Sequence, residues 1–323
     1  MTERIALDVH AHLAPIFPDE LRDVAGVEWK PDTKVLVIDG HEVGMKPLFD
    51  PPALVAWMDR NQVEAAWISI PPPLYRAQLQ GAEARAWTIY ANDGLQRIAG
   101  RYPGRLSFLP HLPLQAPDIA LDVAMKWIGL GHARFGAPSG GYGELVLSDK
   151  AYEPLWRALD AARAFVFFHP GECGDGRLNA FYLSNLLGNP YESAVAIGHL
   201  TFGGVFEHHP NIKFCFAHGG GVLPQLAGRF ERGFDTARPG IDTKAASPRR
   251  LFQNVCVDCI THDPHSLTLA EKVFGETQIL FGSDWPFPMG LPEPHQQMAA
   301  IDPARRKRIF CDNPERIIKE THR

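Results

Sequence analysis

Short apolar runs alternate along this chain with longer stretches in which apolar residues recur at helical spacing. The runs are Ile5–His12, Ala65–Ile70, Leu106–Pro110, Ala133–Gly136, Phe165–His169, Ile212–His218, Val255–Ile260 and Gln278–Asp284, and each reads as a strand. Between them the spacing predicts helices over Ala77–Arg101 (stopped by Pro103-Gly104), Pro117–Ile128, Asp149–Ala164, Pro190–His208, Val222–Phe234 and Pro264–Phe274. Another opens at Pro51, with prolines in its first turn. Two terminal helices follow, Pro303–Ile309 and Asn313–Lys319, the second with Asn313 as N-cap and Pro314 at the first helical position.

Eight strands with intervening helices predict an α/β chain folded as a single (β/α)8 TIM barrel. A doubly wound open sheet is the second reading, but no G-x-G-x-x-G turn follows the first strand. Residues 14–50 break the alternation and read as a small N-terminal insertion after strand 1. Within it, Leu36-Val37-Ile38 before Asp39-Gly40 signals a tight hairpin. The expected domain is 1–323, with C-terminal helices over about residues 303–320.

Composition narrows the class without choosing a function. The chain has 323 residues, 45% hydrophobic and 21% charged, with a net charge of −5, so it carries no basic footprint for nucleic acid. No apolar run approaches the roughly 20 residues that span a bilayer, and no basic segment precedes an apolar one at the N-terminus. The five cysteines are scattered and odd in number, which predicts reduced thiols and a cytoplasmic location. Cys256 and Cys259 form a C-x-x-C, but positions three apart on a strand face opposite sides, so they read as core thiols.

The chemistry collects at the strand ends. His10 and His12 lie two apart on the first strand and face one side together. His169, His218 and Asp284 each close a later apolar run, followed by Pro170-Gly171, Gly219-Gly220-Gly221 and Pro286. In a barrel those positions surround one mouth. Three neutral imidazoles and a carboxylate from this set suit Zn2+, with room for a bound water whose pKa the ion would lower toward about 7. Mn2+ and Fe2+ accept the same ligand types. Other histidines read as bland: His208 and His209 before Pro210, and His322, look like exposed helix ends.

His-x-His on strand one, Phe167-Phe168-His169-Pro170, Phe216-Ala217-His218-Gly219-Gly220-Gly221 and Gly282-Ser283-Asp284-Trp285-Pro286-Phe287-Pro288 together resemble the amidohydrolase superfamily, and within it the decarboxylase branch typified by α-amino-β-carboxymuconate-ε-semialdehyde decarboxylase. The resemblance covers nearly the whole chain and includes Leu112–Pro117, Gly203–Glu207, Gly228-Arg229 and His262-Asp263-Pro264. It implies one divalent metal, most often zinc, held by His10, His12, His169 and Asp284, with His218 as general base beside the metal-bound water. Strand four offers Ala133-Arg134-Phe135-Gly136 and no lysine to bridge a second metal.

The resemblance further implies a homodimer in which Arg229 reaches the neighbouring site and grips a substrate carboxylate. A second substrate arginine is missing from its expected place before Phe49-Asp50-Pro51, where Met45 and Lys46 stand. A lysine cannot reproduce the bidentate guanidinium fork. Arg134 on strand four and His111 after strand three are the candidates to compensate, and Trp285 and Phe287 the candidate walls of a pocket for a flat, conjugated acid. Asp258, ending strand seven, is a candidate for orienting a ligand. The expected activity is a metal-dependent, cofactor-independent decarboxylation of an unsaturated or aromatic carboxylic acid. A hydrolase or hydratase using the same metal hydroxide is the alternative, and a binding protein with a structural zinc the third.

Overall fold

In the computed structural model, residues 3–140, 146–171 and 173–321 are described; His322 lies outside them. Strand β1 (Asp8–His12) is buried along its whole length. It is followed by an antiparallel sheet of β2 (Val27–Lys30), β3 (Val35–Ile38) and β4 (His41–Val43), in that order. The β3–β4 turn is Asp39-Gly40, with φ of 49° and 85°, the left-handed pair that a two-residue hairpin requires. The hairpin is therefore where its turn residues place it.

The remaining strands are β5 (Ala66–Ser69), β6 (Leu106–Phe108), β7 (Arg134–Pro138), β8 (Phe165–His169), β9 (Lys213–Phe216), β10 (Cys256–Asp258) and β11 (Ile279–Leu280). All pair in parallel, as β1-β5-β6 and as β7-β8-β9-β10-β11. The two sheets touch at both seams. A parallel bridge joins His111 to Gly136, and another joins Ala11 to Trp285. At the second seam the Val9 amide donates to the Phe281 carbonyl (3.0 Å) and the Asp284 amide to that of His10 (2.7 Å). Within each of these two sheets every strand neighbours the next parallel strand in chain order.

Strand periodicity sorts the side chains. On β8, Phe165 and Phe167 join an inner cluster with Leu7, Val9, Trp67, Cys215, Cys256 and Leu280. Val166 and Phe168 join the outer core, which packs on the helices. His169 continues the inward row of Phe165 and Phe167, so the period-two rule delivers it to the strand mouth.

Helices fill the connections, among them Gly81–Gly100, Pro117–Gly129, Asn189–Phe202 and Leu223–Asp235. The first begins four residues later than its apolar pattern suggests. The C-terminal pair is a single run instead of two helices. Pro303–Lys307 passes through a π-turn at Arg308–Asp312 into Asn313–Thr321. Asn313 is helical and caps nothing; its side-chain amide donates to the carbonyls of Glu276 and Ile279. His209 is buried, 3.4 Å from Glu153, whereas its neighbour His208 is exposed. Among the described residues no helix is long and apolar enough to cross a membrane.

Candidate active site

One atom each from His10, His12, His169 and Asp284 lie within 4.8 Å of one another, all four residues buried. The second nitrogen of each imidazole is occupied, and that fixes which nitrogen faces the group. His10 Nδ1 donates to Asp258 Oδ2 (2.7 Å), His12 Nδ1 lies 3.1 Å from Ser69 Oγ, and His169 Nδ1 donates to the Pro170 carbonyl (2.8 Å). The three Nε2 atoms are left pointing inward.

Those inward atoms lack hydrogen-bond partners of the right kind. His10 Nε2 is 3.0 Å from His12 Nε2, and Asp284 Oδ1 is 3.1 and 3.2 Å from the two. His169 Nε2 and Asp284 Oδ1 are buried with no hydrogen-bond partner. With both Nδ1 atoms protonated, three lone-pair donors converge at about 3 Å and repel one another unless a cation sits between them. A dication bound at about 2.0–2.2 Å by nitrogen and oxygen meets that need, so the residues fit a metal.

Burial disfavours the charged form of His10, but the Asp284 and Asp258 carboxylates outweigh it and hold its pKa up to about 10. Burial alone would raise Asp284, yet His10, His12 and His218 hold its carboxyl well below the usual range. His169 is held well below ordinary imidazole values by burial and then by its neighbouring histidines, which keeps it neutral, the form that can bind a metal.

His218 stands beside the group instead of completing it. Its Nε2 is 3.7 Å from Asp284 Oδ2, and its ring centre is 5.0 Å from that of His169. It lies two residues past β9, with φ 56°. Asp284 shares this left-handed backbone, with φ 55°. Such conformations cost non-glycine residues about 1–3 kcal/mol and recur at functional sites. His169, His218, Asp284 and Phe287 open onto a cavity of about 1220 Å³. Its rim carries Tyr182, Leu186, Leu187 and Tyr191, all large and exposed.

A protein-family model described as Amidohydrolase matches residues 7–319. The chain belongs to the amidohydrolase family. A 2-amino-3-carboxymuconate-6-semialdehyde decarboxylase from Dictyostelium discoideum is 29% identical over 92% of this chain and 86% of its own. A γ-resorcylate decarboxylase from Rhodococcus jostii is 23% identical over 89% of each chain. In structure, the apo IDCase of Metarhizium anisopliae aligns with a TM-score of 0.82 at 21% identity, over 98% of this chain and 97% of that one. A dihydroxybenzoic acid decarboxylase from Polaromonas, solved with manganese and 2-nitroresorcinol, aligns at 0.79 and 22% identity, over 99% and 97%. The names of these relatives support a carboxy-lyase enzyme.

The other expected residues of this amidohydrolase scatter more widely. Phe287 lines the cavity, 5.5 Å from His12. Trp285 is buried behind it, where its carbonyl accepts from the His12 amide (2.8 Å). His111 is buried and stacked on Tyr75 (4.8 Å) over a small void it shares with His169, and it does not line the main cavity. Arg134 is not brought to the mouth. It is the first residue of β7, four positions below Pro138, which pairs with His169, and its guanidinium lies over Trp67 (5.1 Å). Arg229 is exposed on the helix Leu223–Asp235, outside its own chain's cavity. Met45 is half-buried and Lys46 exposed, and neither lines the cavity.

The supporting residues are the least visible in sequence. Asp258 Oδ1 accepts from the amides of Gly219 (2.9 Å) and Ile260 (3.0 Å) while Oδ2 holds His10, so one carboxylate ties His10 to the loop bearing His218. Asp8 accepts from the Ser283 amide and hydroxyl and from the His10 amide, joining the segments that carry His10 and Asp284. Ser69 and Asp8 escaped notice in the sequence, although Asp8 sits two residues before His10 on the same strand. At Gly282 a Cβ would lie 2.8 Å from that of His10 and 2.9 Å from that of Asp258, so only glycine lets the segment pass. Cys256 and Cys259 are separate buried thiols, one donating to Gln278 and the other to the Gly282 carbonyl.

Proposed function

We propose that this chain is a metal-dependent, cofactor-independent decarboxylase of an unsaturated or aromatic carboxylic acid. Its eight parallel strands form one (β/α)8 barrel over residues 1–323, with residues 14–50 as the insertion and about 303–320 as terminal helices. The observation that carries the function is the convergence of four buried, inward-facing ligand atoms under a cavity that also holds His218. His10, His12, His169 and Asp284 hold the ion, with Zn2+ favoured by the three imidazoles and Mn2+ or Fe2+ suited to the same set. When bound, the ion anchors oxygen atoms of the acid and stabilises negative charge that develops on them.

The chain's own residues then handle the proton. His218 lines the cavity, with its Nε2 3.7 Å from Asp284 Oδ2. From Nε2 it delivers a proton to the ring or vinyl carbon that bears the carboxylate. The new C–H bond forms as the C–C bond to the carboxylate breaks, carbon dioxide leaves, and water returns a proton to His218. Phe287 forms an aromatic wall for a flat acid. The chain works as a homodimer in which Arg229 of one copy serves its neighbour. The exposed Arg229 and the apolar run Phe181, Tyr182, Leu186, Leu187 and Tyr191 support that reading.

The test is carbon dioxide release by metal-loaded protein from a panel of hydroxybenzoates, catechol acids and carboxylated dienoates. Stoichiometric carbon dioxide with the carboxyl-free product is expected. Hydroxy acids formed from lactones or dienes without carbon dioxide would replace the reading with hydrolysis or hydration.

A further inference from the structure

Glu192 is a carboxylate of the cavity that the reaction above does not use. It lies in the first turn of the helix Asn189–Phe202 and lines the same cavity as His169, His218 and Asp284. Its carboxyl is pressed against Gly140, where a Cβ would overlap Glu192 Oε2 and crowd its Cβ (2.8 Å). Gly140 in turn sits just past β7, next to Ser139, whose amide donates to the His169 carbonyl (3.0 Å). One residue along the helix, Ser193 Oγ lies 3.4 Å from Ser139 Oγ and pins the same corner. The bare Cα of Gly140 is what leaves room for the Glu192 carboxyl at this corner of the cavity.

The charge around the cavity gives this carboxylate its meaning. Among the described residues that line it, Arg177 is the one Lys or Arg, and its guanidinium is taken by Asp175 at 2.9 and 3.0 Å. No free cation among them therefore answers Glu192. Burial pushes its carboxyl above the ordinary range, and the Cys173 thiol, which donates to it, pulls the other way. Among the described residues no N–H or O–H group donates to this half-buried carboxylate, and the cavity's occupant can supply such a donor.

We propose that Glu192 is a specificity-determining residue that accepts a hydrogen bond from a hydroxyl or amino group on the substrate's ring or chain. The substrate class is then a hydroxylated or aminated unsaturated acid, bound by its carboxylate side toward the metal and by its donor toward Glu192. This rests on the decarboxylase reading for its substrate class but not for its readout.

The experiment is calorimetric binding to the full metal-loaded protein, comparing mono- and dihydroxybenzoates and aminobenzoates with benzoate. Wild-type protein is expected to prefer an acid carrying the donor. Glu192→Ala is expected to reduce that preference roughly ten- to a hundredfold, the range of a hydrogen bond to a charged group, and Glu192→Gln to keep part of it. Metal content and melting temperature are measured for each variant. An equal loss for benzoate and the donor-bearing acids in both variants would show a structural role and overturn the proposal. So would a wild-type protein with no preference, or a preference that survives in Glu192→Ala. Because binding is read without turnover, a panel that binds with the expected preference but releases no carbon dioxide defeats the decarboxylase reading alone.

Discussion

Replacing Asp258 by asparagine separates the ligands from the residue that orients them. In the native site Asp258 Oδ2 accepts from His10 Nδ1 at 2.7 Å, while Oδ1 accepts two buried backbone amides at 2.9 and 3.0 Å. The substituted side chain has one carbonyl oxygen. If it keeps the two amides, its NH2 faces His10 Nδ1, and that nitrogen must become an acceptor. The ring's proton then moves to Nε2, the atom aimed at Asp284 and the metal position. If the amide flips to keep His10, the amides of Gly219 and Ile260 meet an NH2 group, and the loop carrying His218 loses its anchor. Either way the ligand set is spoiled. Loss of an orienting partner of this kind lowers metal affinity roughly 10- to 100-fold, or about 1.4–2.7 kcal/mol. Chelator competition followed by metal analysis of the equilibrated protein measures it. Metal affinity within twofold of wild type in Asp258→Asn would refute the claim that Asp258 selects the His10 tautomer. Asp258→Ala is the harsher control, since three buried donors lose their acceptor at about 1–3 kcal/mol each, and it is expected to melt earlier.

Three further expectations follow from the same geometry. His218→Ala should bind metal normally but lose about 10²- to 10⁴-fold in kcat, measured by carbon dioxide release; retained turnover would remove its proton role. Burial pushes the His111 imidazole down to about 3, so the folded chain binds fewer protons than the unfolded chain between about pH 3 and 6.5. Its contribution to stability is therefore fully present above pH 6.5 and lost as the pH falls. His111→Phe, which keeps a ring against Tyr75, should lose roughly 2–3 kcal/mol less than wild type between pH 6.5 and 4.5 in urea melts; parallel losses would contradict it. Arg134→Met should leave kcat and KM within twofold, because the guanidinium lies at the opposite end of β7, and should cost about 1 kcal/mol from its stacking on Trp67.

Much of the site was legible from local pattern. Two imidazoles two residues apart on an apolar run share a face whatever surrounds them, and His10 and His12 do so at 3.0 Å. His169 follows an alternating row that can only point inward, and the Asp39-Gly40 hairpin depends on its own backbone angles. Other placements depend on strand direction and length, which apolar runs define poorly. The fourth parallel strand extends to Pro138, and those two extra residues set Arg134 at its base, far from the mouth. Asn313 looked like a helix start because Pro follows it, yet the chain turns continuously through a π-segment there.

Sequence alone determined which imidazoles and carboxylate stand at the strand ends and their order along the chain, because alternation and strand-end turns are properties of neighbouring residues. Tertiary structure decided how His218 and Asp284 aim, through left-handed backbone that no pattern of apolar residues encodes. It also decided which carboxylates serve the ligands. Asp258 meets His10 across 248 positions of chain, and Glu192 meets Gly140 only because a helix packs on the end of β7. Contacts of that kind are made by packing between elements, and the residues that make them carry no local signature.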